Sequence, residues 1–278
     1  MKNVFGYCNG KIKNKKDISV SPYDLGFLRA YSIFDVCRTT KDGKILLLEE
    51  HYKRTVKASK DIGLNFNLSK KEFEDIIYKL MKKNGLKKTI IRTIVSGGES
   101  KDGFTFSGKT NILIFLEKFI LPTKKDFEEG VNVVILEYNR EIPKIKTTNY
   151  LKAVKNQKNK IKARAFENIY IDNNKVLEAS TANIFIIKNK KIITPKDGIL
   201  HGTVRNLVID LLQKEGFNIQ EKNVSLKNLM NADEVFLTAT NKNVLPVRKI
   251  DNTVINRGRV GEVTKKIMEI YNNFENNY

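Results

Sequence analysis

Short apolar runs separated by turn residues dominate the first part of the chain. The pair Asn9-Gly10 and the triplet Lys41-Asp42-Gly43 are typical of turns, and each lies between two apolar runs. They predict two β-hairpins. The branched runs TIIRTIV and NILIFL predict buried strands. Residues 1–118 are therefore predicted to form a small N-terminal α/β domain.

Two helices are predicted within this domain. The pattern over 49–62 is helical and is followed by a glycine, a residue that readily closes a helix. Ser69 and Glu72 have the spacing of a capping box, which predicts that a second helix begins at Ser69.

A different organisation follows. Leu121-Pro122 and a charged stretch predict an interdomain linker over 119–129. Apolar runs then alternate with helical patterns, including a helix near 155–166, an amphipathic helix that ends at Gly216 and a terminal helix from Arg259. Residues 130–278 are predicted to form a larger C-terminal α/β domain, so the fold class is α/β (α+β).

Composition excludes several classes of protein. Hydrophobic residues make up 41% of the 278 residues, which is enough for a buried core. The sequence shows no apolar run long enough for a membrane span and no secretory signal at its start. Its two cysteines do not have metal-ligand spacing. We therefore expect a cytoplasmic protein with no metal and no membrane partner.

The net charge of +20 raises the question of nucleic-acid binding. Nucleic-acid modules usually concentrate positive charge on one surface and offer aromatic side chains for stacking. Here lysine is scattered over nearly every predicted element. We therefore expect no nucleic-acid partner.

A set of chemically capable residues recurs along the chain in a particular order. Lys146 alone cannot be distinguished from the many other lysines, so its interpretation depends on its position relative to the rest of the set. The members, in chain order, are Arg54 in EEHYKR, Lys146 and Tyr150 in KIKTTNYL, Glu178 in VLEASTANIFII, the helix start Gly202-Thr203-Val204, and Thr240 in FLTAT.

This ordered set resembles the fold-type-IV family of pyridoxal-phosphate enzymes. The family contains D-amino-acid aminotransferases, branched-chain aminotransferases and aminodeoxychorismate lyases. The resemblance extends from SVSPYDLGFLRAYSIFD to GRVGEVTKKIMEIY and so covers essentially the whole chain. It implies a two-domain fold whose larger C-terminal domain is a pseudo-barrel, pyridoxal 5′-phosphate as cofactor, and a homodimer with the active site at the interface.

The resemblance also assigns roles to the residues that hold the cofactor ring. Lys146 is the catalytic lysine, which binds the cofactor covalently and later carries a proton. Glu178 lies beside the pyridine nitrogen and keeps it protonated, so that the cofactor can act as an electron sink. Tyr150 is a further cofactor-binding residue.

The cofactor phosphate requires donors and positive charge. The resemblance places it at the helix start formed by 202–204, where Thr203 and Val204 donate main-chain N–H groups and Gly202 permits close approach. Arg54 adds a charge-assisted hydrogen bond and Thr240 a hydroxyl group. His51 also matches a family histidine, but we interpret it as structural packing.

The substrate is less narrowly defined. The spacing between Lys146 and Asn149 resembles the D-amino-acid and lyase branches, whereas Tyr150 is typical of the branched-chain enzymes. Arg29 and Arg92, with Thr240, are the candidates for binding the substrate carboxylate, and Arg29 would then come from the neighbouring subunit. In the alternative interpretation only Arg92 faces the site, and Arg29 forms a salt bridge within its loop.

The function implied is a ping-pong aminotransferase that acts on small amino acids and 2-keto acids. We expect D-amino acids as the preferred donors, with branched-chain L-amino acids as the alternative. A lyase would share the lysine, the glutamate and the phosphate site, but it would release an aromatic product and use no keto-acid acceptor.

Overall fold

A computed structural model gives the structure of residues 4–278, and residues 1–3 lie outside the described part. The chain divides into two units. Unit 1 contains the described residues up to 119 together with 145–149, and unit 2 contains 120–144 and 150–278. Each unit is built on one β-sheet with helices packed against it, which confirms the predicted α/β fold class.

Unit 1 is a six-stranded antiparallel sheet with the strand order β2-β1-β6-β5-β3-β4. Helices α2 and α3 pack against it and enclose an apolar core. Its elements are β1 (Phe5–Cys8), β2 (Lys11–Asn14), a 3₁₀ turn (Lys15–Asp17), α1 (Leu25–Arg29), β3 (Ser32–Thr39), β4 (Ile45–Leu46), α2 (Leu48–Asp61), α3 (Lys70–Asn84), β5 (Ile90–Ser96) and β6 (Asn111–Glu117).

Local signals account for much of unit 1. Asn9 and Gly10 both have positive φ angles, of 45° and 86°, and form the tight turn of the first hairpin as predicted. The predicted capping box at Ser69 is also confirmed: its side chain accepts from the Glu72 N–H, while the Glu72 carboxylate accepts from Ser69 N. These contacts fix where α3 begins.

A short segment from later in the chain, 145–149, completes unit 1. The N–H of Phe34 in β3 donates to the Lys146 carbonyl at 2.9 Å, and the Thr148 N–H donates to the Ser32 carbonyl at 3.1 Å. The hydroxyl groups of Ser32 and Thr148 are 2.5 Å apart. Main-chain pairing therefore holds Lys146 beside the beginning of β3, a position that no local pattern predicts.

Unit 2 is a ten-stranded mixed sheet with the order β12-β11-β10-β14-β15-β7-β8-β9-β13, and β16 pairs with β15. The pairs β15–β7, β7–β8 and β11–β12 are parallel. The elements are α4 (Lys124–Glu129), β7 (Val131–Glu137), α5 (Leu151–Lys155), α6 (Gln157–Lys162), β8 (Glu167–Asp172), β9 (Lys175–Ala179), β10 (Asn183–Lys188), β11 (Lys191–Thr194), α7 (Thr203–Lys214), β12 (Ile219–Glu221), β13 (Val224–Ser225), α8 (Leu226–Met230), β14 (Glu234–Ala239), β15 (Asn243–Ile250), β16 (Thr253–Val254), a 3₁₀ turn (Asn256–Gly258) and α9 (Glu262–Asn277).

The central strands of unit 2 are buried on both faces. Ile184 and Leu237 point into one apolar core, while Phe185 and Phe236 stack at 4.7 Å in a second core that also contains apolar residues of α7 and α9. Burial on both faces explains why β10 and β14 are continuous apolar runs rather than alternating ones.

The segments on either side of β7 differ from the sequence-based expectation. The linker predicted over 119–129 contains the helix α4, and its residues 120–129 group with unit 2. The helix predicted near 155–166 is two short helices that meet at Asn156, whose side chain donates to Asn168 Oδ1 at 2.8 Å. The second ends at Lys162, because Arg164 adopts a left-handed φ of 50°.

No helix within residues 4–278 is both long enough and apolar enough to cross a membrane.

Candidate functional site

Two of the predicted site residues meet at one aromatic ring in unit 1. Lys146 Nζ lies 4.5 Å from the centre of the Phe34 ring, and the guanidinium carbon of Arg92 lies 5.5 Å from the same centre. Both distances are in the range of cation–π attraction. Phe34 therefore brings the candidate catalytic lysine and a candidate substrate-binding arginine together, a role that its sequence context did not reveal.

Arg92 also has a carboxylate partner. Its Nε and Nη2 donate to the two carboxylate oxygens of Glu117, at 2.5 Å and 3.0 Å. The two residues are diagonal neighbours on β5 and β6, and their side chains are 34% and 39% exposed. An ion pair this exposed adds little to stability. The contact shows that the Arg92 guanidinium, as oriented here, presents two donors to a carboxylate group.

Arg29 lies at the end of α1 and is exposed. Its Nη1 donates to the Leu28 carbonyl at 3.0 Å, and its guanidinium carbon lies 4.3 Å from the centre of the Phe104 ring. The alternative prediction expected a salt bridge here. Within residues 4–278 the contacts of Arg29 are instead with a carbonyl group and an aromatic ring, which leave its positive charge uncompensated.

Arg54 is held by a buried carboxylate. Arg54 Nε donates to Asp35 Oδ2 at 2.6 Å, and His51 Nδ1 lies 2.6 Å from Asp35 Oδ1. Asp35 follows Phe34 in β3, and both of its partners lie on α2. The arrangement positions the Arg54 guanidinium and places His51 in a buried structural role.

The pKa values explain how these three side chains share charge. Burial acts to raise the pKa of Asp35, but attraction to Arg54 and the hydrogen bonds from Arg54 and His51 outweigh it, so that this pKa lies well below its usual value. Burial lowers the pKa of His51, which is therefore neutral near pH 7. Because an ionised carboxylate can only accept, His51 Nδ1–H is the donor to Asp35.

Glu178 is the centre of a buried polar cluster in unit 2. Its Oε1 accepts from Arg140 Nε at 3.0 Å and also from Arg140 Nη2, and its Oε2 accepts from the Leu200 N–H at 3.1 Å. Asn183 Nδ2 lies 3.4 Å from the same Oε2. Sequence reasoning missed Arg140, which follows β7 in the segment YNREIP and matches no motif that we used.

Tyr150 belongs to the same surroundings. Burial raises its pKa to about 12, and the charges of Arg140 and Glu178 act on it in opposite directions. The phenol therefore remains neutral at physiological pH and can act as a hydrogen-bond donor.

The start of α7 has the geometry of an anion site. Gly202 is the residue before the first turn, and it has no side chain that could cap this end of the helix. A Cβ atom at Gly202 would lie only 2.3 Å from Asn183 Oδ1, so any larger residue would displace the Asn183 side chain. Thr203 and Val204 are buried in the first turn. Main-chain N–H groups and the helix dipole favour an anion at such an end.

Thr240 lies in the turn that follows β14. This turn is held by Lys242, a buried lysine whose Nζ is 3.1 Å from Glu167 Oε1 and donates to Thr181 Oγ1 at 2.7 Å. The sequence analysis identified neither Lys242 nor Glu167. Glu167 begins β8 and Lys242 follows β14, so their contact joins residues that are far apart in the sequence.

The described residues 4–278 contain no group of three or more His, Cys, Asp or Glu side chains that could hold a metal ion.

Comparison with known proteins gives a consistent result. The family described as amino-transferase class IV matches residues 32–250. A Methanocaldococcus jannaschii protein, provisionally named a branched-chain-amino-acid aminotransferase, is 32% identical and matches over 95% of this chain and 93% of its own length. The D-alanine aminotransferase of Staphylococcus epidermidis is 27% identical, with 95% of each chain covered.

A solved structure shows the same fold. The branched-chain amino acid aminotransferase of Thermoproteus uzoniensis, solved with norvaline, superposes with a TM-score of 0.89 at 24% identity, covering 98% of this chain and 94% of the other.

The ion pair between buried Asp35 and partly buried Arg54 can be tested by substitution. Asp35→Asn should lower the free energy of unfolding by about 3–5 kcal/mol near neutral pH, because it leaves a partly buried guanidinium without its anion. The folded-state pKa is depressed, so the stabilisation is present above the unfolded pKa of about 4 and is lost as the pH falls below it. Urea unfolding should therefore show a difference that shrinks on acidification.

Asp61→Asn is the matched control, since it removes the exposed ion pair with Lys57 on the same helix. It should cost at most about 1 kcal/mol at either pH. Equal losses for the two variants would contradict the assignment of Asp35 as a buried, ionised partner of Arg54.

Proposed function

The chain belongs to the class IV aminotransferases, which depend on pyridoxal 5′-phosphate, and on that premise we propose that it transfers the amino group of a small D-amino acid to a 2-keto acid. The observation that carries the proposal is the placing of Lys146 and Arg92 around the Phe34 ring. One side chain suits the covalent attachment of a cofactor, and the other suits the binding of a carboxylate. When bound, the cofactor supplies an electron sink for the charge that develops at the substrate Cα.

Lys146 has two tasks in this proposal. Its Nζ would hold the cofactor covalently until the amino group of an incoming amino acid replaces it in that bond, which frees Nζ as an amine. The freed Nζ would accept the proton from the substrate Cα as general base and would then donate it to the bound cofactor as general acid. Water would then release the first keto acid and leave the amino group on the cofactor. A second keto acid would take up that amino group by the reverse steps, which gives ping-pong kinetics.

Glu178 and Tyr150 act on the cofactor ring. An ionised Glu178 keeps the ring nitrogen protonated, which the electron sink requires. The phenol of Tyr150, which its raised pKa keeps neutral, would donate a hydrogen bond to the cofactor ring system. Support for both roles comes from the buried cluster around Glu178 and from the family resemblance of the two positions.

The phosphate is assigned to the start of α7 together with Arg54 and Thr240. The main-chain N–H groups of Thr203 and Val204 would bind it. Gly202 leaves room for the Asn183 side chain at this helix start, and by the family resemblance it also permits close approach of the phosphate. Arg54, oriented by Asp35, supplies charge, and Thr240 supplies a hydroxyl group.

The substrate carboxylate is assigned to Arg92, which would exchange Glu117 for it, to Thr240 in the turn after β14, and to Arg29 of the partner subunit. The D-preference is supported by the spacing of Lys146 and Asn149 and by the likeness to D-alanine aminotransferases. Branched-chain L-amino acids are the second candidate, supported by Tyr150 and by the M. jannaschii relative.

We also propose a homodimer. Phe27 and Phe104 are 76% and 74% exposed, Phe27 is on the same helix as Arg29, and Phe104 stacks with Arg29. Aromatic side chains and arginine are enriched at protein interfaces. A second copy that covers this patch would bury the two rings. Arg29 of one subunit would then reach the active site of the other subunit.

The substrate proposal is tested by single half-reactions. Purified, cofactor-loaded enzyme is mixed in a stopped-flow instrument with D-alanine, D-glutamate, L-leucine or L-valine in the absence of keto acid. The cofactor absorbance should change fastest with the D-amino acids. A change with L-leucine or L-valine and none with either D-amino acid would assign the enzyme to the branched-chain type.

Arg92→Ala should raise KM for amino and keto acids about tenfold to a hundredfold, the loss expected for a hydrogen bond to a charged group. Cofactor affinity should stay unchanged. Arg248→Ala is the matched control, because Arg248 forms a similarly exposed ion pair with Glu129. Steady-state kinetics and cofactor titration measure both effects. Weakened cofactor binding with an unchanged KM would move Arg92 out of the substrate site.

Subunit mixing tests the origin of Arg29. Lys146→Ala and Arg29→Ala enzymes should each have little activity, and co-refolding them should restore activity. The mixed dimer then contains one site with Lys146 from one subunit and Arg29 from the other. If Arg29 serves the site of its own subunit, the mixed dimer has no intact site and the mixture stays as inactive as its parents.

A further inference from the structure

Both carboxylate oxygens of Glu178 in unit 2 accept hydrogen bonds, and Arg140 is its partner in an ion pair. We propose that Arg140 is a positioning residue: it keeps Glu178 ionised and fixed, and thereby keeps the proton on the ring nitrogen of the cofactor. This inference rests on the proposed contact between Glu178 and that nitrogen, and it adds a residue that neither the sequence motifs nor the comparisons identify.

Burial makes a partner for Glu178 necessary. The Glu178 and Arg140 side chains are only 6% and 11% exposed. A carboxylate taken out of water without a cation binds a proton and becomes neutral, because desolvation penalises the charged form. A neutral glutamic acid cannot stabilise a protonated ring nitrogen by charge. Arg140, which remains protonated under all ordinary conditions, supplies the missing cation.

The geometry fixes the carboxylate as well as its charge. Arg140 directs Nε and Nη2 at Oε1, whereas Oε2 is held by the Leu200 N–H at 3.1 Å. Arg140 is itself held, since Nη2 also donates to the Pro143 carbonyl at 2.7 Å. Donors on both oxygens prevent the carboxylate from rotating, so its orientation is set before any ligand arrives.

A carboxylate and a ring nitrogen that share one proton are in competition for it. A cation in direct contact with the carboxylate stabilises the anion strongly, and it repels charge on a group beyond the carboxylate more weakly, because Coulomb energy falls with distance. Arg140 therefore shifts the proton away from Glu178 and towards the ring nitrogen. Removing Arg140 should reverse this shift without removing Glu178.

Nitrogen-15 NMR of enzyme loaded with ring-labelled pyridoxal 5′-phosphate measures the position of the proton directly. The natural enzyme should give a resonance at the protonated position near neutral pH. Glu178→Gln and Arg140→Gln should both move it towards the unprotonated position. Arg140→Lys keeps the charge but directs one donor instead of two at Glu178, so its signal should stay protonated near neutral pH and lose the proton at a lower pH than in the natural enzyme. Arg248→Gln, which changes an exposed arginine, should leave the signal unchanged.

The outcomes separate the inference from the function on which it rests. A protonated signal in Glu178→Gln would refute the proposed role of Glu178 itself. A shifted signal in Glu178→Gln with an unshifted one in Arg140→Gln would refute the role of Arg140 alone, and would leave it a purely structural residue.

Arg140→Gln leaves a buried carboxylate without its cation and could fail to fold. In that case the pH titration of the same resonance in Arg140→Lys decides the matter. A lysine places one donor where the arginine places two, so the pH at which half of the ring is protonated should fall below that of the natural enzyme. An unchanged midpoint would overturn the proposal.

Discussion

The pairing of residues 145–149 with β3 is the constraint on which the account of this protein depends. A lysine in a chain with 51 Lys and Arg residues has no distinct chemistry until its position is fixed. Main-chain hydrogen bonds to Ser32 and Phe34 give Lys146 that position, although more than a hundred residues separate the partners. The same strand then supplies Asp35, which orients Arg54, and Phe34, beside which Arg92 lies.

The two units use the same electrostatic device. In unit 1 a buried carboxylate, Asp35, orients Arg54, and in unit 2 a largely buried arginine, Arg140, orients Glu178. Each pair lies in surroundings where an isolated charge would be costly, so the partner decides both the ionisation and the direction of the group. On the proposed roles of Arg54 and Glu178, loss of either partner should affect both stability and activity.

Sequence patterns predicted elements whose causes are local. The turn at Asn9 and Gly10 and the capping box at Ser69 depend on neighbouring residues, and both were confirmed. The contacts of Arg140 and Arg92 could not be predicted, because Glu178 and Glu117 come from distant strands and any of the many acidic residues would have fitted as well. The limits predicted for the helix near 155–166 were wrong. The chain is divided into two helices at Asn156, whose side chain contacts Asn168 in β8, and this contact is likewise non-local.

The central claim is that Lys146 anchors the cofactor, and chemical trapping tests it most directly. Cofactor-loaded enzyme is reduced with borohydride, which makes the covalent link permanent, and is then digested and mapped by mass spectrometry. We expect one pyridoxyl-bearing peptide, with the modification on Lys146 in KIKTTNYL. Modification of a different lysine, with Lys146 unchanged, would contradict it.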